Sequence, residues 1–390
     1  MAAETPIENP RAEIDAIDNE ILRLLNRRAQ IALRVGAVKA ENDASMVDPN
    51  RESEVIARLT NENPGPFDAT AIENIFQRII DESLALQQKR FLRRRTTDPS
   101  AARVSIEATS SVGFLGDPGS FSETAALGIL GEGCDYVSYP TFDELYRSAA
   151  DGEVQYIISP LENSLVGSIQ RCYDLLAASD LSIVAEIILP VSHFLIAGPE
   201  ATIETIASVE SHPAALSQCE RFFAGHPHLN RIAGDDTAGS VRRAVESGDP
   251  TRAAIGGRRA AMIYGGKILR EHVEDHSDNF TRFALLSKIA DPDTNGAKIS
   301  LILRLKNEPG SLHNSLRPFV RRGIDLAKIE SRPIKGQPAE FNFYLDLQAP
   351  ASESELRGAL DEVSAQAVNV RYLGRYPTIQ LTHERINEIS

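Results

Sequence analysis

The chain has 390 residues, of which 42% are hydrophobic and 25% charged, and a formal net charge of −14. That length exceeds one ordinary core and predicts two or three domains, while the composition excludes wholesale disorder. The acidic balance argues against a nucleic-acid or anionic-membrane partner, because both need a basic face; an anionic ligand must be held by a few well-placed cations.

The N-terminal MAAETPIENPRAE is acidic and polar, without the basic and apolar regions of an export signal. No apolar run reaches the ~18 residues that cross a bilayer, and the richest stretch, Ile187 to Ala197, is interrupted by Pro190 and His193. Cys134, Cys172 and Cys219 are an odd, scattered set that fits a reducing compartment. A cytoplasmic protein without membrane association is expected.

From residue 10 to about 40, Ile14, Ile17, Ile21, Leu24, Ile31, Val35 and Val38 recur at a 3,4 spacing, which predicts one long helix carrying the seam of a packed bundle. Asp48-Pro49 starts a second helix, with a capping acceptor followed by proline at the first helical position. Asn63-Pro64-Gly65-Pro66 ends it, and a third helix runs from about Asp68 to Arg95. Residues 1–95 thus form an all-α domain. Its last basic run, Lys89 to Arg95, suits a solvated helix C-terminus. The segment 96–111 has the composition of a linker. Over 112–290, β-rich runs at Val112–Leu115, Tyr136–Ser138, Tyr156–Ser159, Ile183–Leu189, Ala253–Gly256 and Phe283–Ser287 alternate with helical patterns, predicting an α/β domain with mainly parallel sheet. A second break at 290–296 precedes a unit over 297–380. Its strands at Ile299–Leu305, Ile324–Ser331, Phe341–Leu347 and Val368–Leu373, with two helices, predict an α+β ferredoxin-like sandwich.

Two cations interrupt the apolar seam. Arg28 stands where a Leu or Ile belongs, and Lys39 follows eleven residues on. At about 100° per residue, eleven residues bring the helix face back to within about 20°, and at ~1.5 Å per residue the pair is about 16 Å apart. Two long side chains at that spacing can converge on one small anion. Ser83 and Gln87, one turn apart on the third helix, add polarity to one face. Asp48, Arg51 and Glu52 cluster at the start of the second helix, where capping and a local ion pair also account for them.

These residues resemble the all-helical chorismate mutases of the AroQ type over roughly residues 8–90. The resemblance rests on Arg11, Leu24–Arg28, Val35–Lys39, Asp48–Glu52 and Ile79–Gln88. It implies that Arg11, Arg28 and Arg51 hold the carboxylates and hydroxyls of chorismate. Lys39 and Gln87 would donate to its ether oxygen, Glu52 would meet the ring hydroxyl, and Asp48 and Ser83 complete the site. The rearrangement to prephenate needs no nucleophile, metal or proton transfer, only a folded dianion and charge stabilised on the departing oxygen. Arg11 is seventeen residues from Arg28, about 25 Å along one helix. It must then serve the pocket of another chain, which implies an intertwined homodimer or a higher homo-oligomer.

In the α/β region, Gly113-Phe-Leu-Gly116-Asp-Pro-Gly119-Ser120 follows a strand and leads into a helix, so its amides can cradle an anion or simply make a tight turn. It is neither a Walker nor a GxGxxG motif, and no cofactor is expected. Further polar clusters are Pro160–Ile169 with Glu162 and Asn163, Glu210–Pro213 with Ser211 and then Gln218, Asp236–Ser240, and Asn279–Phe283. The set resembles prephenate dehydratases over about 110–288, with Thr281-Arg282-Phe283 the most specific element. That resemblance implies two α/β lobes around a cleft, similar to periplasmic binding proteins, and the conversion of prephenate to phenylpyruvate with loss of water and CO2. Thr281 would act at the leaving hydroxyl, in a network with Glu162, Asn163, Ser211 or Gln218. The close histidine pairs, His226/His228 and His272/His276, lack the ligands that would complete a metal site, so no metal is expected.

Near the C-terminus, Asn307-Glu-Pro309-Gly310-Ser311-Leu312 joins a strand to a helix, and Glu330-Ser331-Arg332-Pro333 ends a strand. Their order resembles the ACT domain attached to prephenate dehydratases, over about 297–377. There such segments line a phenylalanine pocket at a dimer interface, implying feedback inhibition in phenylalanine biosynthesis. An arogenate dehydratase is the nearest enzymatic alternative, and a non-catalytic small-molecule sensor is the alternative of another class.

Overall fold

The computed structural model describes residues 8–42, 45–91, 110–289, 296–337, 340–350 and 352–389. The breaks expected at 96–111 and 290–296, and residues 92–95 of the third helix, lie largely or wholly outside them. The chain divides into two compact units: Met1–Thr96 with Leu303–Val370, and Thr97–Ile302 with Arg371–Ser390.

The N-terminal part of the first unit is helical, with helices Glu8–Glu41, Pro49–Asn61 and Ala69–Phe91. Pro10 sits in the first turn, where its missing N–H costs no bond, and Lys39 in the last turn complements the helix dipole. Asp48 caps the second helix by accepting from Arg51 N at 3.1 Å, and Asp68 caps the third by accepting from Ala71 N at 2.7 Å.

The expected packed seam is corrected in one respect. Ile14, Ile17, Ile21, Leu24, Ile31, Val35 and Val38 are all exposed, from 45% to 58%. The third helix instead covers the face of Arg28, Ala32 and Gly36. That face carries small side chains around the arginine, so the helices approach closely there. A 34-residue helix is about 51 Å long, against about 35 Å for the third and about 20 Å for the second. Two shorter helices cannot cover all of it.

The second unit holds two sheets. The larger has the strand order Thr378–Gln380, Ser182–Pro190, Phe280–Ser287, Tyr156–Asn163, Ser111–Leu115, Asp135–Tyr139, with Gly167–Ser168 paired to Tyr156–Asn163. The smaller runs Lys267–Arg270, Phe194–Ala197, Arg252–Gly256, Ser208–Ser211, Asn230–Ala233. Both are mixed, not mainly parallel. Phe280–Ser287 runs antiparallel to both of its neighbours, while Ser111–Leu115 is parallel to both of its own. A strand buried on both faces reads as one apolar run in either direction, so its sequence does not reveal its sense. The chain enters the smaller sheet after Pro190 and returns to the larger at Phe280. The two crossings touch where Val191 N donates to Asn279 O at 2.8 Å.

The last segments follow the expected order of strand, helix, strand, strand, helix, strand: Lys298–Arg304, Ser311–Arg321, Leu326–Pro333, Phe341–Gln348, Glu353–Gln366 and Asn369–Tyr376. The sheet order is Leu326–Pro333, Phe341–Gln348, Lys298–Arg304, Asn369–Tyr376. Thr378–Gln380 then leaves it and pairs in parallel with Ser182–Pro190.

Gly119 shows how tightly the first glycine turn is set. Its φ is +89°, and a Cβ there would lie 2.7 Å from Ala260 Cα. Backbone strain and overlap with a main-chain atom both oppose a side chain. Gly119→Ala is therefore expected to destabilise the protein by about 2–4 kcal/mol. Urea unfolding followed by far-ultraviolet circular dichroism measures this, and a loss below about 1 kcal/mol would contradict the steric account.

Candidate active sites

In the helical region, Arg28 Nη1 donates to Ser83 Oγ at 2.6 Å and to Ile79 O at 3.4 Å. Gln87, buried, donates through Nε2 to Ala32 O at 2.5 Å, and Lys39 Nζ donates to Met46 O at 3.0 Å. Burial lowers the Arg28 guanidinium from its usual value, yet such a group stays charged at any ordinary pH. The first and third helices thus bring Arg28, Ser83 and Gln87 together, and Lys39 closes the same helix against the 45–47 loop. Each donor keeps N–H groups beyond those spent here: a guanidinium has five, an ammonium three and an amide two.

The other expected residues lie differently. Asp48 is spent on its cap. Arg51 pairs with Glu54 at 3.0 Å and its side chain is 68% exposed. Glu52 is held by Arg321, from helix Ser311–Arg321, whose Nε also lies 3.2 Å from Asp81 Oδ1. Arg321 carried no signal in the sequence reading, because it is 269 residues from Glu52. Arg11 is exposed on the first turns of its helix.

In the α/β region, the return strand pairs Thr281 with Asn163 and Arg282 with Glu162. Asn163 Nδ2 donates to Thr281 Oγ1 at 3.0 Å, Asn279 Oδ1 at 2.7 Å and Phe280 O at 3.2 Å. Its Oδ1 accepts from the amides of Leu165 and Val166 at 3.1 and 3.0 Å, which fixes the orientation of the amide group. Asn279 Nδ2 donates to Gln218 Oε1 at 3.0 Å, and His193 Nε2 lies 2.8 Å from that oxygen. Because Gln218 Oε1 can only accept, the histidine proton is on Nε2.

A continuous chain, Thr281–Asn163–Asn279–Gln218–His193, therefore stands at the crossing between the two sheets. Ligands favour such switch points. Asn279 and His193 are the members that the expected network omitted. His193 is buried and packs edge-on against Phe121 at 5.9 Å.

Ser211 is not brought to this chain: it is buried and donates to Ile255 O at 2.7 Å. Phe283 lies in the apolar core with Phe114, Ile158 and Leu285. Arg282 and Glu162 share the opposite face of the strand from Thr281, since neighbouring side chains alternate. Arg282 Nε donates to Glu186 Oε2 at 2.6 Å, and its Nη1 is 4.0 Å from Glu162 Oε2.

The glycine turn is a cap and not an anion cradle. Gly119 N donates to Glu123 Oε2 at 2.7 Å, and Ser120 Oγ accepts from Glu123 N at 3.2 Å, so the polar groups satisfy one another. The same holds for Asp236, which accepts from Gly239 N at 2.7 Å. Glu210 is neutralised by Arg243 and Arg252.

Burial pushes the Cys172 thiol up to about 12 and raises Cys219 as well, so neither supplies a thiolate. Among the described residues no group of three His, Cys, Asp or Glu side chains is placed to hold a metal, and no helix is long and apolar enough to cross a membrane.

At the C-terminal sheet, Gly310, with φ of +86°, occupies the cap position of helix Ser311–Arg321, preceded by Asn307 and Pro309 and followed by Leu312. Glu330, Ser331, Arg332 and Pro333 end an edge strand, with Glu330 and Arg332 on its half-buried face and Ser331 and Pro333 on its exposed one. Arg304, the last residue of its strand, donates to Glu340 at 2.9 Å. That bond sets both segments at one end of the sheet.

A family model described as prephenate dehydratase matches residues 112–291, and one described as chorismate mutase type II matches residues 10–88. A bifunctional chorismate mutase/prephenate dehydratase of Neisseria gonorrhoeae is 33% identical over 372 residues, covering 95% of this chain and 97% of its own. The crystal structure of prephenate dehydratase from Arthrobacter aurescens in complex with L-Phe matches with a TM-score of 0.63 and 29% identity, covering 68% of this chain and 89% of its own. A structure described as a novel type of quorum-quenching acylase, GqqA, also matches with a TM-score of 0.63 and 29% identity, covering 70% of this chain and 99% of its own. The scaffold alone therefore does not fix the chemistry.

Burial is the main influence on His193 and lowers its pKa, with the Gln218 hydrogen bond and Glu274 opposing it. The folded protein then keeps His193 neutral where the unfolded chain takes up a proton, so stability is lost as pH falls below about 6.5. His193→Gln, which keeps a donor for Gln218, is expected to flatten the fall in Tm between pH 7 and pH 5. Equal slopes for the two proteins would rule out His193 as the titrating group.

Proposed function

Since the chain belongs to the bifunctional chorismate mutase/prephenate dehydratase family, and so converts chorismate to prephenate and prephenate to phenylpyruvate for phenylalanine biosynthesis, we propose which residues carry each step. In the mutase, Arg28 grips a substrate carboxylate, and Lys39 and Gln87 direct their remaining N–H groups at the ether oxygen on which charge grows as the C–O bond breaks. Ser83 holds Arg28, and Glu52 receives the ring hydroxyl. Arg51 meets the substrate's carboxylates and hydroxyls on leaving its exposed pairing with Glu54, and Asp48 fixes the start of the helix that carries Arg51 and Glu52. No proton moves and no covalent intermediate forms, so catalysis is orientation plus electrostatic stabilisation.

In the dehydratase, Thr281 is the donor to the leaving ring hydroxyl. The observation that carries this assignment is the Asn163–Thr281 hydrogen bond, which joins segments 118 residues apart. Because Thr281 Oγ1 accepts from Asn163, the threonine proton is left to donate to the departing oxygen. Thr281 lends a hydrogen bond and stays neutral; the departing hydroxide takes one proton from solvent to leave as water, and the electron pair of the breaking C–CO2 bond makes the ring aromatic as CO2 leaves. Asn279, Gln218 and neutral His193 hold the amides in one orientation. Arg282 and Glu162 support the strand from its other face, and Ser211 and Phe283 pack the two lobes. The two sheets, with the crossings between them, support a two-lobed arrangement like that of periplasmic binding proteins.

The strand order 298–304 between 341–348 and 369–376 supports a ferredoxin-like ACT domain over 297–380, following the mutase domain at 1–95, the linker at 96–111 and the dehydratase domain at 112–290. Phenylalanine, bound by Asn307–Leu312 and Glu330–Pro333, is the proposed feedback inhibitor. The protein works in the cytoplasm, a reading supported by three free cysteines and by a biosynthetic role. The exposed seam of the first helix supports a homodimer in which Arg11 of each chain completes the other chain's mutase site.

Turnover of chorismate and of supplied prephenate, followed by phenylpyruvate absorbance, separates the two assignments. Lys39→Ala or Gln87→Ala is expected to lower mutase kcat by about 10²–10³ and leave prephenate turnover intact. Thr281→Ala is expected to cut dehydratase kcat more than about tenfold and leave the mutase intact. A variant with near-normal turnover of its own step removes that residue from its role.

Subunit complementation tests the shared site. Arg11→Ala and Arg28→Ala chains, each inactive as mutases, are expected on co-expression to regain about a quarter of wild-type mutase activity, because one site in each mixed dimer is intact. No recovery in mixed dimers would place both arginines in the same chain's site or neither in one.

A further inference from the structure

On the face of the return strand opposite Thr281 lies a largely buried polar network, in which the dehydratase assignment above gives Glu186, Lys298, Ser300 and Tyr376 no task. Arg282 Nε donates to Glu186 Oε2 at 2.6 Å, and Arg282 Nη2 donates to the Tyr376 hydroxyl at 3.0 Å. Glu186 has no exposed surface. Its other oxygen accepts from Lys298 Nζ and from Thr378 Oγ1, the latter at 2.6 Å. The Tyr376 and Ser300 hydroxyls are hydrogen-bonded to each other. The Tyr376 hydroxyl thus links Ser300 to the Arg282 guanidinium. Glu162, paired across the strands with Arg282, has its carboxylate 4.0 Å away. Arg282 and Lys298 offset the fully buried Glu186 carboxylate, as a buried charge requires, while the Glu162 side chain is 37% exposed.

The members come from distant parts of the chain. Glu186 and Arg282 are on adjacent strands of the seven-stranded sheet. Ser300 and Tyr376 lie on adjacent strands of the four-stranded sheet, Lys298–Arg304 and Asn369–Tyr376. Both hydroxyls are buried, and so is Arg282. A group with no water around it cannot drift by degrees. If Tyr376 shifts, a buried guanidinium N–H loses its acceptor, so the network is either made or broken.

We propose that Tyr376 is a positioning residue of the dehydratase: it fixes Arg282, and through Arg282 the Glu162 carboxylate, so that a change in the four-stranded sheet is imposed on the strand that carries Thr281. The positioning half rests only on the dehydratase activity. The transmission half rests on phenylalanine binding to that sheet, as proposed above.

Tyr376→Phe removes one oxygen and keeps the ring. Its dehydratase kcat is expected to fall about ten- to hundredfold, the scale of one hydrogen bond to a charged group, with KM for prephenate changed less than about threefold. Mutase kcat stays at its wild-type value, while Tm falls by a few degrees at most, the cost of one buried hydrogen bond. Phenylalanine, titrated by calorimetry, binds the variant with its wild-type Kd but no longer changes dehydratase turnover.

Wild-type dehydratase kinetics in the variant would overturn the positioning role. A parallel fall of dehydratase and mutase turnover would overturn it too, since that marks a structural residue only. Undiminished phenylalanine inhibition of the variant would overturn transmission. If the wild-type protein binds no phenylalanine, the effector reading fails and transmission with it, while the prephenate kinetics still decide positioning. Should Tyr376→Phe fail to fold, Ser300→Ala, which deletes the hydroxyl bonded to Tyr376, is read by the same measurements with the same expected pattern.

Discussion

A carboxylate with no exposed surface, Glu186, organises the larger sheet. Removing an ion from water costs several kcal/mol unless partners restore what is lost, and here Arg282, Lys298 and Thr378 all donate to it. Arg282 belongs to the strand that returns from the smaller sheet, and Thr378 to the short strand added after the last crossover. Three segments far apart in sequence must therefore meet at one charge. The register that allows it pairs Glu186 with Ala284 on one side and with Thr378 on the other. On its other edge the return strand, past an irregularity between Arg282 and Phe283, sets Thr281 opposite Asn163. The position of the candidate catalytic hydroxyl thus follows from satisfying a charge on the other face of its strand.

The helical region solves the opposite problem. Its first helix spends the face around Arg28, Ala32 and Gly36 on the third helix and leaves its apolar seam in solvent. Seven exposed branched side chains recur along one helix face, the kind of apolar surface that marks an interaction site. On the proposed assignment of Arg11, covering this face and completing the mutase site would be one requirement, met by a second copy of the same helix. The length of the helix is then functional: a shorter one would bring Arg11 nearer to Arg28 but leave nothing for a partner to use.

Much of this was legible in the sequence, and the exceptions have a common cause. A charge inside a 3,4 apolar pattern is a local signal, so Arg28 and Lys39 stood out, as did Ser83 and Gln87 by their one-turn spacing. Asp48-Pro49, Ser120 and Asp236 were legible as caps but equally as ligands, and only the bonds to Arg51, Glu123 and Gly239 decide for capping. Asn279 stood out only as a member of the Asn279–Phe283 cluster and His193 not as a site residue, because their roles depend on Gln218, 61 and 25 residues away. Arg282 and Phe283 sat in a specific motif, yet pleating turns Arg282 from Thr281, and Phe283 lies in the apolar core. The direction of Phe280–Ser287 was hidden for the same reason: long-range pairing, not local pattern, chooses it.

The two candidate sites differ in charge, and the difference suits their reactions. The mutase must hold a dianion folded on itself while negative charge gathers on an ether oxygen, so fixed cations favour the transition state more than the ground state. The dehydratase must let a carboxylate depart as neutral CO2. A cation bound to that carboxylate would stabilise it most before it leaves, and such binding raises the barrier instead of lowering it. The chain Thr281–Asn163–Asn279–Gln218–His193 offers amides, a hydroxyl and a histidine that burial keeps neutral. The nearest cation of the motif, Arg282, is turned away and bound to Glu186. On this assignment the buried carboxylate does more than hold the sheet: it keeps a guanidinium out of a site where positive charge would work against the chemistry.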